Sequence, residues 1–296
     1  TWLAKGEVHA GLEQKADALT AYENALRLDP RNPLAWGHKA SLLLAFERYD
    51  EAVRACEAAL EQNPASPDLW YDKARAQYRL KAYSDAADSL ERATRYAPTD
   101  AKAWYLYGLS LDGAKRYEQA VSAFDRTIAL EPKHGRAFYG KGSSLQALKR
   151  YEEAIAAFGQ AAVLEPTLTA ASLREGACLL ELHRYEEAIA AYGRVLAAEP
   201  KDHGAALGTC DAYEALGKTK EAFEACAKLT TLDPKDVDAW VRRARLARDA
   251  GSEKDALAAA NRAVSLAPDR PEILRLKRDL FVSSGNYKGV LDLCDR

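Results

Sequence analysis

Residues 101–134 read AKAWYLYGLSLDGAKRYEQAVSAFDRTIALEPKH, and this stretch sets the frame for the whole chain. Its proline, Pro132, is one of a row of eight (Pro30, Pro64, Pro98, Pro132, Pro166, Pro200, Pro234 and Pro268), each 34 residues from the next. The remaining three prolines, Pro33, Pro67 and Pro271, each follow a member of that row by three residues. Trp104 lies 28 residues before Pro132, and Trp2, Trp36, Trp70 and Trp240 keep the same distance from the proline row. Ala120 belongs to an unbroken alanine row that starts at Ala18 and ends at Ala256, and Gly108 to a row of small residues from Gly6 to Ala244. A fixed period of this length marks a stacked-repeat protein. Function is therefore expected on an extended surface and not in a closed pocket.

One period, residues 33–66, shows what each repeat builds. Pro33 has its φ preset for a helix start and needs no N–H there. Trp36, Ala40, Leu43 and Leu44 then recur at helical spacing, which predicts a first helix over residues 34–46. A short turn, Glu47-Arg48-Tyr49, precedes Asp50 and Glu51, whose negative charge suits the positive end of a second helix. That helix carries Ala52, Val53, Cys56, Ala59 and Leu60 on one face and is stopped by Pro64. Ala40 and Ala52 remove bulk where the two backbones approach, and Trp36 fills the space between neighbouring repeats.

The spacing seen in Trp104, Gly108, Leu111, Ala120, Phe124 and Pro132 resembles the tetratricopeptide repeat, and the resemblance covers essentially the whole chain. It implies an all-α fold, a right-handed superhelical solenoid of antiparallel helix pairs whose first helices line a concave groove that holds a peptide or partner protein. The expected organisation is a single array over 1–296, with repeats at 1–32, 33–66, 67–100, 101–134, 135–168, 169–202, 203–236 and 237–270 and a partial one at 271–296. The frame weakens in places. The tryptophan slot becomes Phe138, Ser172 and Ala206, so the repeats over 169–236 are expected to hold together less tightly. The turn tyrosines Tyr49, Tyr83, Tyr117, Tyr151 and Tyr185 also stop there, and Gly217, Gly251 and Gly285 take over two residues earlier in the turn.

The residue after the tryptophan slot points about 100° around the first helix, away from the packed face. Tyr71, Tyr105, Tyr139, Leu173, Leu207 and Val241 occupy it and form an apolar stripe that packing does not require. Aromatic side chains with a polar tip give much contact area at low entropy cost, which suits a binding surface. Around the stripe the charges change by region, with Arg75 and Arg79 first, then Glu181, Asp211 and Glu214, then Arg245 and Arg248. A ligand carrying both signs of charge would suit such a groove. The Lys and Asn pair with which family members clamp chaperone C-termini is missing, since the corresponding face offers Tyr71 with Arg75, or Tyr105 with Leu109. An asparagine ladder is missing too, its slot reading His38, Asp72, Leu106, Gly140 and Arg174.

Composition argues against other functional classes. The net charge is −2 with charged residues spread through the chain, so a large nucleic-acid footprint is not expected. No run approaches the roughly 18 apolar residues that a membrane span needs. His9, His38, His134, His183 and His203 lack metal-binding spacing, and neither GxSxG nor a phosphate-binding GxxxxGK[ST] occurs. No catalysis, cofactor or metal is therefore expected. Cys56, Cys178, Cys210, Cys226 and Cys294 show no CxxC and read as small buried hydrophobes in a reduced protein, which favours a cytoplasmic setting. The chain contains no methionine, opens inside one repeat and closes inside another, so it reads as a segment of something longer. The alternative to a partner-binding scaffold is a structural subunit that stacks head to tail into a filament, because Trp2 and Leu3 open the chain and Ile273, Leu274, Leu280, Phe281, Leu291 and Leu293 close it without a plainly polar cap.

Overall fold

The two periodicities of the sequence, 34 residues between like positions and a 3.6-residue apolar spacing within each half, translate into two helices per repeat. The computed structural model describes residues 1–294, and among them there are eighteen α-helices and no strand. The side chains of Leu293 and Cys294 lie outside the described residues.

The helices fall into two compact units, the first over residues 1–164. It comprises α1 (Trp2–Gly11), α2 (Lys15–Leu28), α3 (Pro33–Ala45), α4 (Tyr49–Gln62), α5 (Pro67–Arg79), α6 (Tyr83–Tyr96), α7 (Ala101–Gly113), α8 (Tyr117–Leu130), α9 (Gly135–Ala147) and α10 (Tyr151–Leu164). The second unit holds α11 (Thr169–Glu181), α12 (Tyr185–Ala198), α13 (His203–Ala215), α14 (Thr219–Leu232), α15 (Val237–Asp249), α16 (Glu253–Leu266), α17 (Pro271–Ser283) and α18 (Tyr287–Cys294). Within each unit every helix packs on the next, and first helices also touch one another, α3 with α5, α5 with α7 and α7 with α9. Such nearest-neighbour stacking is how a repeat protein buries a core that no single repeat could close.

The helix ends differ slightly from the sequence expectation, for a local reason. Three first helices, α3, α5 and α17, begin at the proline itself, and several first helices are capped by the side chain just before them: Asn32 accepts from the Ala35 N–H at 3.0 Å ahead of α3, Ser66 from Leu69 ahead of α5, and Asp100 from both Lys102 and Ala103 ahead of α7. The turn tyrosines are not in the turn but open the second helix, Tyr49 being the first residue of α4. The turn is closed instead by two hydrogen bonds, from the Arg48 N–H to the Leu43 carbonyl and from the Glu47 N–H to that of Leu44, with Glu47 at φ 59°. This Schellman pairing needs a left-handed residue. Glycine fills the slot in Gly217, Gly251 and Gly285, whereas Lys81, Lys115 and Lys149 adopt φ of 61°, 61° and 59°. A side chain there costs about 1 kcal/mol, partly offset by the greater freedom of glycine in the unfolded chain. Lys115→Gly is therefore expected to stabilise the protein by about 0.5–1 kcal/mol, read as a higher denaturation midpoint.

The core is a ladder of complementary sizes. In each repeat the small residue four positions after the tryptophan slot faces the residue sixteen positions later. A Cβ built on Gly108 would lie 2.7 Å from the Phe124 ring, one on Gly142 2.7 Å from Phe158, and one on Gly176 2.6 Å from Tyr192. Where the facing residue is smaller the glycine is replaced, as in Ala74 with Leu90 and Ala40 with Cys56, which share core clusters. Some aromatics also need room on the next repeat, since a Cβ on Gly140 would come within 2.5 Å of Phe124. The tryptophans add a second ladder that the sequence frame concealed. Each indole N–H of Trp36, Trp70, Trp104 and Trp240 donates to the carbonyl of the proline six residues earlier, at 2.8, 2.8, 2.9 and 3.1 Å.

The cysteine expectation holds for two residues and fails for two. Cys56 and Cys178 are free and buried, and burial pushes their thiols up to about 12 and about 11, which leaves them protonated and unreactive at neutral pH. Cys210 and Cys226, in contrast, are joined in a disulfide. They stand at the two facing slots that hold glycine and an aromatic ring in other repeats. Close approach of α13 and α14 there brings their Cα atoms to 5.4 Å, inside the usual range for a bridge. Sixteen residues of sequence separation hid a juxtaposition that the repeat geometry enforces.

Candidate functional site

Tyr71, Arg75, Tyr78 and Arg79 are spaced at i, i+4, i+7 and i+8 along α5, so they share one face of that helix. Tyr105 stands at the matching slot of α7, and Tyr139 at that of α9. All three slot tyrosines are half-buried. Tyr105 and Tyr139 rest on aromatic core residues, with centroids 6.1 Å apart for Tyr105 and Phe124 and 5.7 Å for Tyr139 and Phe158, whereas Tyr71 packs against the aliphatic cluster of Ala74, Leu90 and Ala103. They thus keep one side in the core and present the other.

Tyr71 and Tyr105 line one groove of about 320 Å³ in the first unit, together with Arg75 and Arg79. Tyr139, one repeat on, is outside that lining. The other lining residues were not among the expected site residues, notably Tyr49 from the start of α4, Tyr78 of α5, and Lys102 and His134 near the starts of α7 and α9. Tyr49 and Tyr78 had a signal, one in the tyrosine row and one in helical register with Tyr71. His134 had none, because its place follows from capping. Its Nδ1 accepts the Ala137 N–H at 3.1 Å, which leaves the hydrogen on Nε2, and its ring lies 4.6 Å from that of Tyr105.

The two arginines are held against the aromatic wall. The Arg75 guanidinium lies 5.8 Å from the Tyr71 ring and donates to Asp72 at 2.9 Å. Arg79 lies 4.9 Å from the ring of Tyr49 and pairs with Glu47 at 3.5 Å. Cation–π contacts of this kind contribute about 0.5–1 kcal/mol at exposed sites. Burial raises the phenols of Tyr71 and Tyr78, so both remain neutral hydrogen-bond donors through the physiological range.

The second unit carries the other candidate residues on a more polar face. Leu173 is half-buried, and Leu207 is 38% exposed. Val241, expected on the open stripe, is instead packed into the core with Ala244 and Ile273. Asp211 and Glu214 are not loose charges: both grip Arg242 of α15, each at 2.6 Å, and so tie α13 to α15. Arg248 pairs with its neighbour Asp249 at 2.9 Å. Arg245 lines a cleft of about 640 Å³ beside Glu214 and Val241 and has no charged partner among the described residues. Glu181 is exposed on α11. Among the described residues no helix is long and apolar enough to cross a membrane.

Two tetratricopeptide repeat profiles match the sequence, one at residues 43–109 and 213–280 and the other at 3–67 and 173–237, and together they account for most of the chain. A profile for subunit 3 of the anaphase-promoting complex, or cyclosome, matches residues 90–161. No curated protein matches significantly. Among solved structures, the C-terminal part of a TPR repeat-containing protein from Cytophaga hutchinsonii superposes with a TM-score of 0.69 at 18% identity, covering 81% of this chain and 98% of that one. YrrB, described as a TPR protein with an unusual peptide-binding site, gives 0.55 at 24% identity over 57% of this chain and 88% of its own. MamA gives 0.52 at 22% identity over 55% of this chain and 95% of its own.

Proposed function

The chain belongs to the tetratricopeptide repeat family, and from that premise we propose that it is a non-catalytic scaffold that holds a peptide or partner protein against the open faces of its first helices. The observation that carries this reading is the return of a half-buried tyrosine at one slot of three successive first helices, Tyr71, Tyr105 and Tyr139. Packing alone would accept any apolar residue there, whereas tyrosine adds a polar tip where a partner would meet it. The description of YrrB, a protein of the same fold, as having a peptide-binding site lends support. Arg75 and Arg79 set the register of the partner in the first unit. Leu173, Leu207, Asp211, Glu214, Arg245 and Arg248 offer a second contact zone in the other unit. Binding is favoured by preorganisation, because helices hold these side chains in place before the partner arrives and only the ligand must be ordered.

The test starts from peptides selected out of a random phage-displayed library on the full chain, with affinity then measured by fluorescence anisotropy. Replacing Tyr71, Tyr105 and Tyr139 together by Ala should weaken binding by more than about 100-fold, as expected for loss of central aromatic contacts. Because Tyr105 also touches Phe124, Tyr71→Ala alone serves as the milder variant, expected to lose about tenfold with helicity unchanged. Equal affinity for the triple variant and the parent rejects the assignment.

A further inference from the structure

The groove between α4, α5 and α7 is unusual in the kind of polar atoms it presents. Its lining carries the phenol groups of Tyr49, Tyr71 and Tyr78, the guanidinium groups of Arg75 and Arg79, and the ammonium of Lys102. All of these are donors at neutral pH. His134 adds an Nε2–H, since its other nitrogen is occupied as an acceptor. Against them the lining has a single carboxylate, Glu131. The acids that pair with the arginines, Asp72 and Glu47, are not part of the lining.

Tyr49 gives the second, independent observation. Its hydroxyl is buried and makes no hydrogen bond, one of two such side-chain atoms among the described residues. A buried hydroxyl left in this state is costly, and such groups are uncommon in folded proteins. The guanidinium of Arg79 covers the same ring, and it is an exposed side chain whose one ion pair is long. An acceptor drawn to Arg79 therefore comes against the ring whose hydroxyl lacks one. Leu44, Leu106 and Leu109 complete the lining with apolar surface.

From this donor excess, together with the unsatisfied hydroxyl and the apolar floor, we infer that the groove takes a partner segment in which an aspartate or glutamate stands next to an apolar side chain. The carboxylate is received by Arg79, Arg75 and the Tyr49 hydroxyl, and the apolar side chain lies against Leu106 and Leu109 between the rings of Tyr71 and Tyr105. This rests on the scaffold reading above and names the chemistry of its partner.

The experiment uses the full chain and the same random displayed library, with selected peptides resynthesised with acetylated and amidated ends so that only side-chain carboxylates count. Peptides rich in Asp or Glu beside an apolar residue are expected, and their Asp→Asn or Glu→Gln versions should bind at least tenfold more weakly. Arg79→Glu, an exposed substitution that leaves the core untouched, should lose affinity to a similar degree, and Tyr49→Phe by a smaller factor with circular dichroism unchanged. Peptides that depend on Tyr71 yet bind equally well as amides overturn the acidic assignment and leave the scaffold reading standing. A library that yields no binder to the parent chain overturns both.

Discussion

Phe124→Ala is expected to lower stability by about 3–5 kcal/mol, measured as the shift in a chemical denaturation curve. The ring is fully buried, and two glycines on different helices, Gly108 of α7 and Gly140 of α9, have no Cβ because the ring occupies that space. Removing it leaves a cavity that neither glycine backbone can fill. The reciprocal change makes the test sharper. Glycine to alanine in a helix interior ordinarily stabilises by about 0.5–1 kcal/mol. Gly108→Ala should instead destabilise by about 1–3 kcal/mol, since its methyl group would sit 2.7 Å from the ring and overpack the site. Combining Gly108→Ala with Phe124→Leu recreates the Ala74 and Leu90 pair of the preceding repeat and should recover most of the loss. A stabilising Gly108→Ala would show that the size match does not hold the repeats together.

Trp104→Ala is expected to cost about 3 kcal/mol, near the lower end for large-to-small changes because the indole is only half-buried. The loss has separable parts. Trp104→Phe keeps most of the apolar contact and removes only the donor to the Pro98 carbonyl, at 2.9 Å, so it should cost about 1 kcal/mol. The Arg126 guanidinium, 5.7 Å from the ring, adds a contact that phenylalanine retains in weaker form. If both variants melt alike, the hydrogen bond and not the burial carries the contribution of this residue.

The fold was legible because proline, tryptophan and the small residues report backbone constraints, and these survive changes in everything around them. Helix boundaries came out within a residue or so, and the one consistent error, tyrosines assigned to the turn, arose because a left-handed residue already closes it. The disulfide was not legible, because two cysteines sixteen residues apart carry no local motif and become neighbours only through helix packing. The candidate face was half legible. Helical spacing gave Tyr71, Arg75 and Arg79, and stacking then added Tyr49, Lys102 and His134 from three other elements. Periodicity also failed at Val241, where the same slot turns into the core. Where Trp is replaced by Ser172, Arg194 of α12 bonds to the Ser172 hydroxyl at 3.2 Å and to Glu175 at 2.6 Å, whereas the equivalent Arg92 and Arg126 lie over tryptophan rings.

The glycine opposite Phe124 on the following helix limits how the array could have grown. Duplicating residues 101–134 in tandem would set the Leu106 side chain of the new copy where Gly140 now stands, against a ring that leaves no room for a single methyl group. The same holds for Tyr192, which meets Gly208 on the next helix and would meet Arg174 in a copy of its own repeat. These modules are therefore not interchangeable bricks. The units bearing Phe124 and Tyr192 each dictate a residue of their successor, and moving either one would demand a matching change next door.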